Sequence, residues 1–155
     1  KGMFWLNNSY RRIKKGTQKQ FKGTDINEAK TYASKSKVDA MAISVGNTHL
    51  QTSKVAKIDY KKILDIQKIT KIPLVLHGSS GISNFMRNKI ATKTNVAKFN
   101  IGTELRMIGC KTMRESYNKN INNFDKISII KPSIKELKKA TISVIKNIGP
   151  QIVKK

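Results

Sequence analysis

Three short apolar runs, each followed by a helical pattern, constrain the fold of this chain more than any other feature of its sequence. The runs are Val38–Val45, Ile72–Gly78 and Val96–Ile101. Nearly all-apolar strands that alternate with helices are typical of a parallel sheet covered by helices on both faces. We therefore predict an α/β fold. Because three strands cannot close a barrel, the chain is either a small α/β domain or the C-terminal portion of a larger fold, such as a (β/α)8 barrel of about 250 residues.

Two capping-box spacings predict where helices begin. Asp25 and Glu28 predict a helix that runs to about Ser36. Ser133 and Glu136 have the same spacing and predict that the last helix begins at Ser133. Apolar residues at helical spacing predict a helix over 59–71. Further helices are predicted over 83–92 and 104–117, after the loops that follow the second and third apolar runs.

Composition and charge limit the functional classes. The 155 residues carry 32 Lys plus Arg against 9 Asp plus Glu, which gives a net charge of +23. Dedicated nucleic-acid-binding proteins usually show a clustered basic patch, arginines and interleaved aromatic residues. Here 27 of the basic residues are lysines spread along the chain, and aromatic residues make up only 6%. Nucleic-acid binding is therefore the weaker alternative.

Other sequence features bear on compartment. No apolar run approaches the ~20 residues that span a bilayer, so no membrane partner is expected. The single cysteine, Cys110, excludes a disulfide framework within the chain and fits a reducing compartment, the cytoplasm.

The only two histidines of the chain follow two neighbouring strands. His49 comes four residues after Val38–Val45, and His77 lies at the end of the next apolar run. The carboxyl ends of parallel strands meet at one edge of a sheet, where α/β proteins place their active sites. Two imidazoles at one edge are natural ligands for a divalent metal such as zinc. The alternative is that each histidine only hydrogen-bonds a loop.

Two glycine-containing loops, Gly78–Gly81 and Asn100–Thr103, follow consecutive strands and precede helices. Unpaired N–H groups and the helix dipole favour an anion at such a position, and the hydroxyls of Ser80 and Thr103 can donate to it. Glycine also serves ordinary tight turns, which is the simpler alternative. Two such loops in succession match the way barrel enzymes hold a phosphate. Arg106, one turn later, faces either the same pocket or solvent.

Three segments together resemble a known family. VDAMAISVGNTHL, IPLVLHGSSGI and VAKFNIGTELR are similar to segments of the class II (zinc-dependent) fructose-1,6-bisphosphate aldolases and their tagatose-bisphosphate aldolase relatives. The resemblance covers residues 24–150, and leaves 1–23 as a poorly matching N-terminal segment and 151–155 as a tail. It implies the C-terminal portion of a (β/α)8 barrel, with about three strand-helix units and a terminal helix.

The resemblance also implies a reaction and a metal. The family cleaves a ketose 1,6-bisphosphate reversibly into dihydroxyacetone phosphate and glyceraldehyde 3-phosphate, a glycolytic reaction. His49 and His77 match two of its three zinc-binding histidines, and Asn100 matches the asparagine that contacts the enediolate. The third histidine and a neighbouring catalytic aspartate have no match in this chain. A monovalent cation is a second candidate cofactor.

Further matches concern the sugar phosphate. One group of residues matches the loop that holds the phosphate of dihydroxyacetone phosphate: Gly78, Ser79 and Ser80. Another belongs to the second phosphate loop: Ile101, Gly102 and Thr103. Arg106 matches the arginine that reaches the other phosphate of the bisphosphate.

The chain departs from the family pattern at several positions. Leu50 stands where the family usually has glycine, and Gly102 stands where fructose-bisphosphate enzymes have aspartate. A small residue at position 102 favours tagatose-bisphosphate, whereas Arg106 favours fructose-bisphosphate. Residues 1–22 do not match the acidic, glycine-rich stretch expected there.

These observations lead to one main interpretation. We expect a cytoplasmic C-terminal fragment of a class II ketose-bisphosphate aldolase that is inactive alone, because part of its zinc site is missing. The intact protein is expected to be a homo-oligomer. The alternatives are a basic nucleic-acid-binding module and a degenerate, non-catalytic remnant.

Overall fold

The computed structural model describes Phe4, Trp5 and residues 23–149. The predicted tail over 151–155, and all of the predicted segment over 1–23 except Phe4, Trp5 and Gly23, lie outside the described residues. The elements follow one another in this order: β1 (Phe4–Trp5), α1 (Ile26–Ser36), β2 (Met41–Ile43), α2 (Tyr60–Thr70), β3 (Leu74–Leu76), α3 (Asn84–Lys93), β4 (Val96–Phe99), α4 (Thr103–Lys119) and α5 (Lys126–Ile148).

The strands form one sheet in the order β1-β2-β3-β4, and every described pair is parallel. Met41 pairs with Leu74, and Leu76 pairs with Phe99. The α/β fold predicted from the sequence is therefore confirmed. β1 is an additional short strand in a segment whose sequence shows no strand pattern.

The core lies between the sheet and the helices that connect its strands. Every residue of β2 and β3 is buried, and helices α1 to α3 contribute apolar side chains to the same cluster: Ala29, Ile63, Ile66 and Ile90. Full burial of a large aliphatic side chain stabilises a fold by about 1.5–3 kcal/mol. The core thus fixes the ends of β2 and β3, from which the site residues extend.

Side chains at the helix starts supply the caps. The Asp25 carboxylate accepts hydrogen bonds from the N–H groups of Asn27 and Glu28, as the capping pattern predicts. Asp59 and Ser83 accept equivalent bonds at the starts of α2 and α3. Such caps satisfy N–H groups that have no partner within the helix.

The predicted start of the last helix at Ser133 is wrong. Helix α5 begins at Lys126, and its cap is Asp125, which accepts bonds from the N–H groups of Ile127 and Ser128. Ser133 is buried inside the helix, where its hydroxyl donates to the carbonyl of Ile130 at 2.6 Å. A serine can satisfy its hydroxyl this way within a helix as well as at a cap, so spacing alone does not separate the two.

α5 also continues through Pro132, which has no N–H to offer the preceding turn.

Among the described residues, no helix is both long enough and apolar enough to cross a membrane.

Candidate active site

The carboxyl ends of β2, β3 and β4 lead to one cavity of about 430 Å3 at the edge of the sheet. Most of the site residues predicted from the sequence line it: His49, Gly78, Ser80, Asn100, Ile101, Gly102, Thr103 and Arg106. Leu50 and Phe99 complete the wall. The two other predicted residues, His77 and Ser79, are buried on either side of Gly78, which lines the cavity.

The two histidines lie together. Their ring centroids are 5.9 Å apart, and the ring planes are tilted by 46°. Two imidazoles that share a tetrahedral zinc ion, with bonds of about 2.0–2.1 Å, would have centroids about 5 Å apart. The two rings are therefore of the right donor type for a zinc ion, and their separation is somewhat wider than the shared ion would give.

His77 is suited to bind a metal at neutral pH. Burial, followed by the nearby positive charges of His49 and Lys98, lowers the pKa of His77 to about 4. The imidazole is therefore neutral near pH 7, and the neutral ring is the form that can coordinate a metal.

Asn100 contacts the His77 ring from the next strand. Its side-chain nitrogen lies 2.8 Å from Nδ1 and 3.0 Å from Nε2 of His77. The amide therefore lies beside the histidine and also faces the cavity. From this position it can donate a hydrogen bond to an oxygen of a bound molecule.

Asn47 is a buried support of the site that the sequence analysis did not identify. Its Nδ2 donates to the carbonyl of His77 at 2.8 Å and to that of Ile43, and its Oδ1 accepts from the N–H of Val45. It thus ties the segment that carries His49 to the residue His77 itself. The sequence feature that could have identified Asn47 is its position after Gly46, because asparagine is common in turns.

The Gly78–Gly81 loop is tightly packed and internally bonded. Gly78 has φ +63°, in the left-handed region that favours glycine. The Ser79 hydroxyl donates to the carbonyl of Leu76 at 2.9 Å, and the Ser79 N–H donates to the carbonyl of Asn100 at 3.1 Å. Ser79 therefore joins the two loops, whereas the neighbouring Ser80 faces the cavity.

The Asn100–Thr103 loop meets Ser80 at the start of α4. The Ser80 Oγ accepts a hydrogen bond from the N–H of Glu104 at 3.1 Å, which leaves the Ser80 hydroxyl proton available to a ligand. Gly102 is the cap residue of α4 and makes no side-chain cap. The start of α4 therefore lies at the cavity, where its helix dipole favours an anion, although the Glu104 N–H is already bonded to Ser80.

Arg106 lies against the start of its own helix. Its Nη2 donates to the Thr103 Oγ1 at 3.1 Å. A Cβ atom on Gly102 would lie 2.9 Å from Nη1 of Arg106. Arg106 therefore lines the cavity and is at the same time exposed to solvent.

The sequence also did not predict a charge cluster formed by Arg87 on α3, Glu104 on α4 and Lys54. The Arg87 guanidinium is 1% exposed and donates to both carboxylate oxygens of Glu104, at 2.9 Å and 3.3 Å. Lys54 lies 2.7 Å from the same carboxylate. Burial alone would raise the pKa of Glu104, but its bonds to Lys54 and Arg87 outweigh burial and keep that pKa below its usual value.

A comparison with known protein families identifies the chain. The family model of class-II fructose-bisphosphate aldolase matches residues 9–151. This chain belongs to the class-II fructose-bisphosphate aldolase family. The matched region includes every residue of the cavity.

Solved aldolase structures have the same fold over the region they share with this chain. The YdjI aldolase from Escherichia coli K12 is 26% identical, with a TM-score of 0.63, and the match covers 81% of this chain and 44% of that one. A fructose-bisphosphate aldolase from Campylobacter jejuni is 20% identical, with a TM-score of 0.65 and the same coverage. The chain thus spans less than half the length of these aldolases and forms part of a (β/α)8 barrel.

Class-II aldolases are in general zinc-dependent, and the histidine pair is of the right donor type for such an ion. A catalytic zinc site uses three protein ligands. Across residues 23–149, however, no group of three or more His, Cys, Asp or Glu side chains could hold a metal together. Within those residues, the candidate ligands beside the cavity are the two histidines, His49 and His77.

Proposed function

We propose that this chain supplies the metal-binding and phosphate-binding part of a zinc-dependent ketose-bisphosphate aldolase. The reaction is the reversible cleavage of fructose 1,6-bisphosphate or tagatose 1,6-bisphosphate into dihydroxyacetone phosphate and glyceraldehyde 3-phosphate. One observation carries the proposal: the His49–His77 pair lies beside a cavity whose other walls are two glycine-containing loops. A metal site next to a phosphate site is what aldol cleavage of a sugar phosphate needs.

The loops would hold the phosphate of the substrate. The Ser80 and Thr103 hydroxyls can donate to its oxygens, and the start of α4 favours its negative charge. Fixing the phosphate would place the carbon chain of the sugar across the cavity toward the histidines, and such positioning lowers the entropic part of the barrier.

His49 and His77 would hold the zinc ion. When bound, zinc supplies Lewis-acid stabilisation of the negative charge that carbon–carbon cleavage leaves on the ketose fragment. The Asn100 amide, which already lies within 3.0 Å of both His77 ring nitrogens, can donate to the same developing oxyanion.

The proposal extends to the cellular setting. A glycolytic role in the cytoplasm agrees with the single cysteine of the chain, because reducing compartments disfavour disulfide frameworks. We propose that the active enzyme is a homo-oligomer. This chain alone, with two histidine ligands, should not cleave the sugar bisphosphate.

Zinc titration by calorimetry tests the proposal directly. The chain should bind Zn2+ with one saturable site, and dihydroxyacetone phosphate should tighten that binding, because the two ligands would meet in one cavity. His77→Ala should weaken zinc binding by at least about tenfold, since catalytic zinc sites depend on each of their few protein ligands. Cys110→Ala is the matched control, because Cys110 is an exposed thiol on α4 away from the cavity lining.

Two results would contradict the proposal. The metal assignment fails if His77→Ala binds zinc as tightly as the unaltered chain. Zinc binding that dihydroxyacetone phosphate does not affect would instead favour a non-catalytic remnant with a surface metal site.

A further inference from the structure

Helix α5 has an apolar surface on the side turned away from the other helices. Its packed side includes the buried Ser133 and also Leu137, whose Cδ1 would lie 3.3 Å from a Cβ on Gly109 of α4. On the other side, the side chains of Ile127 and Ile134 are 75% and 62% exposed. Single exposed apolar residues are ordinary on a protein surface, whereas a contiguous group of them marks an interaction site.

The exposed side chains of α5 surround a cavity of about 380 Å3, lined by Lys126, Ile127, Ile130, Lys131 and Ile134. Four of these residues stand at positions i, i+3, i+4 and i+7 of the helix, beginning at Ile127. Four residues with this spacing form the hole that receives one side chain when two helices pack as knobs into holes. A lipid bilayer presents no such side chain, so the shape of this α5 hole favours a helical protein partner.

Lysines beside the α5 hole define the charge of the partner. α5 carries six lysines and one acidic residue, Glu136, which is paired with Lys139 at 2.8 Å. Lys126 and Lys131 line the hole itself, and Lys135 is exposed one turn after Lys131. Charges that flank an apolar seam select a partner helix with opposite charges. The partner helix is therefore expected to carry Asp or Glu beside its apolar side chains.

The same charges argue against an occupant from this chain. A second copy would bring the same lysines against these, and each copy has a net charge of +23. Residues 6–22 contain six basic and no acidic residues, and residues 150–155 contain two lysines and no acidic residue. Charge complementarity therefore favours a different, acidic protein. The homo-oligomer proposed above would then use another surface.

We propose that the α5 hole, formed by Ile127, Ile130, Lys131 and Ile134, binds an acidic amphipathic helix of a partner protein. One apolar side chain of that helix fills the hole, and its carboxylates lie beside Lys126 and Lys131. The residues that line this hole differ from those that line the candidate active site, so the inference does not depend on zinc or phosphate binding.

A synthetic amphipathic helix tests the proposal by fluorescence anisotropy with the full chain. The probe is a labelled peptide of about three heptads, with leucine at the a and d positions and glutamate at e and g. Repulsion between its glutamates disfavours self-association. The peptide should bind saturably, and a scrambled peptide of the same composition should bind at least about tenfold more weakly, because it keeps the charge and loses the apolar stripe.

Two pairs of variants locate the binding surface. Ile134→Glu should weaken peptide binding by at least about tenfold, because it places a negative charge in the apolar hole. Val55→Glu is its matched control, since Val55 is comparably exposed on the loop that carries His49. Lys131→Glu should weaken binding by about three- to tenfold, whereas Lys131→Arg should retain it. Lys30→Glu, on α1, makes the same charge change on a helix that packs against α2.

Urea denaturation of each variant checks that the fold is kept, and Ile127→Glu replaces Ile134→Glu if that variant does not fold. The proposal is overturned if the scrambled peptide binds as tightly as the patterned one, or if Ile134→Glu binds no more weakly than Val55→Glu. Two further results would assign the surface to another occupant and overturn the proposal as well. One is binding to phosphatidylglycerol vesicles, but not to the peptide, that Ile134→Glu abolishes. The other is a dimer of the chain that Ile134→Glu dissociates.

Discussion

The two loops of the candidate site occupy equivalent places in consecutive strand-helix units, yet they are held differently. The Gly78–Gly81 loop follows β3, which has a strand on each side, and its Ser79 is completely buried. It is bonded from several directions: Asn47 donates to the carbonyl of His77 just before it, and the N–H of Ala56 donates to the carbonyl of Gly81. Surrounding structure therefore fixes this loop before any ligand binds.

The Asn100–Thr103 loop follows β4, which is the edge strand of the described sheet. Ala97 and Lys98 on that strand are exposed, and all the residues of the loop are only partly buried. Its backbone bonds lead to the Gly78–Gly81 region, through Leu76 and Ser79, and to its own helix. The comparison indicates that one loop is ordered by the core and the other is ordered mainly by the first loop.

Removal of Arg87 should have the largest effect on the structure that joins the two loops. Arg87 on α3 and Glu104 on α4 join the helices that follow the two loops. Arg87→Ala removes two hydrogen bonds from the partly buried Glu104 carboxylate, which keeps Lys54 at 2.7 Å, and hydrogen bonds to a charged group contribute about 1.5–3 kcal/mol. We expect the free energy of unfolding, measured by urea denaturation, to fall by about this amount.

Arg114→Ala is the control for this prediction. It removes the same side-chain type from the exposed surface of α4 and should change the stability by less than about 0.5 kcal/mol. If Arg87→Ala cost no more than the control, the buried charge cluster would not be what joins the two loops.

The Arg87–Glu104 pair also shows what sequence reasoning could not reach. Its members are 17 residues apart and belong to different helices, so no local spacing connects them. In contrast, the Asp25 cap and the α/β alternation depend on neighbouring residues and were predicted correctly. The start of α5 was mispredicted because a local capping pattern at Ser133 also occurs inside a helix.

The candidate site shows the same difference between features that were predictable from the sequence and features that depend on distant contacts. The convergence of His49 and His77 was predictable because parallel strands bring their carboxyl ends to one edge. The support that Asn47 gives to His77 was not, because that hydrogen bond crosses 30 residues and depends on the packing of β2 against β3.

Asn47→Ala should have a smaller effect, and it tests whether the order of the Asn100–Thr103 loop depends on the Gly78–Gly81 loop. The change removes three hydrogen bonds at a buried position and leaves their backbone partners unsatisfied, at a cost of about 1–3 kcal/mol. Since the Asn100–Thr103 loop is bonded to the Gly78–Gly81 region, hydrogen exchange should speed up at the N–H groups of both Ser79 and Asn100.

Asn118→Ala serves as the matched control for Asn47. Asn118 is exposed near the end of α4, so the same chemical change should leave exchange at both loops unaltered. Faster exchange at Ser79 with no change at Asn100 would mean that the second loop is ordered independently of the first.

Leu50 allows the smallest and sharpest test, because it lines the cavity without belonging to either loop. It has φ +58°, where the family usually has glycine, and its side chain is 75% exposed. A left-handed conformation costs a non-glycine residue about 1–2 kcal/mol, and glycine returns about 0.5–1 kcal/mol of this through the greater entropy of the unfolded chain. Leu50→Gly should therefore raise the free energy of unfolding by about 0.5 kcal/mol.

Lys37→Gly is the matched control for Leu50→Gly, because Lys37 has φ +53° at the end of α1, away from the cavity lining. Both changes relieve the same backbone strain, so both should stabilise the fold by similar amounts in urea denaturation. Only Leu50→Gly removes an apolar side chain from the cavity, and inorganic phosphate should bind that variant at least as tightly as the unaltered chain. The opposite result is that Leu50→Gly is less stable, and Lys37→Gly more stable, than the unaltered chain. That result would mean that contacts of the Leu50 side chain outweigh the backbone strain, and that these contacts order the cavity wall together with the two loops.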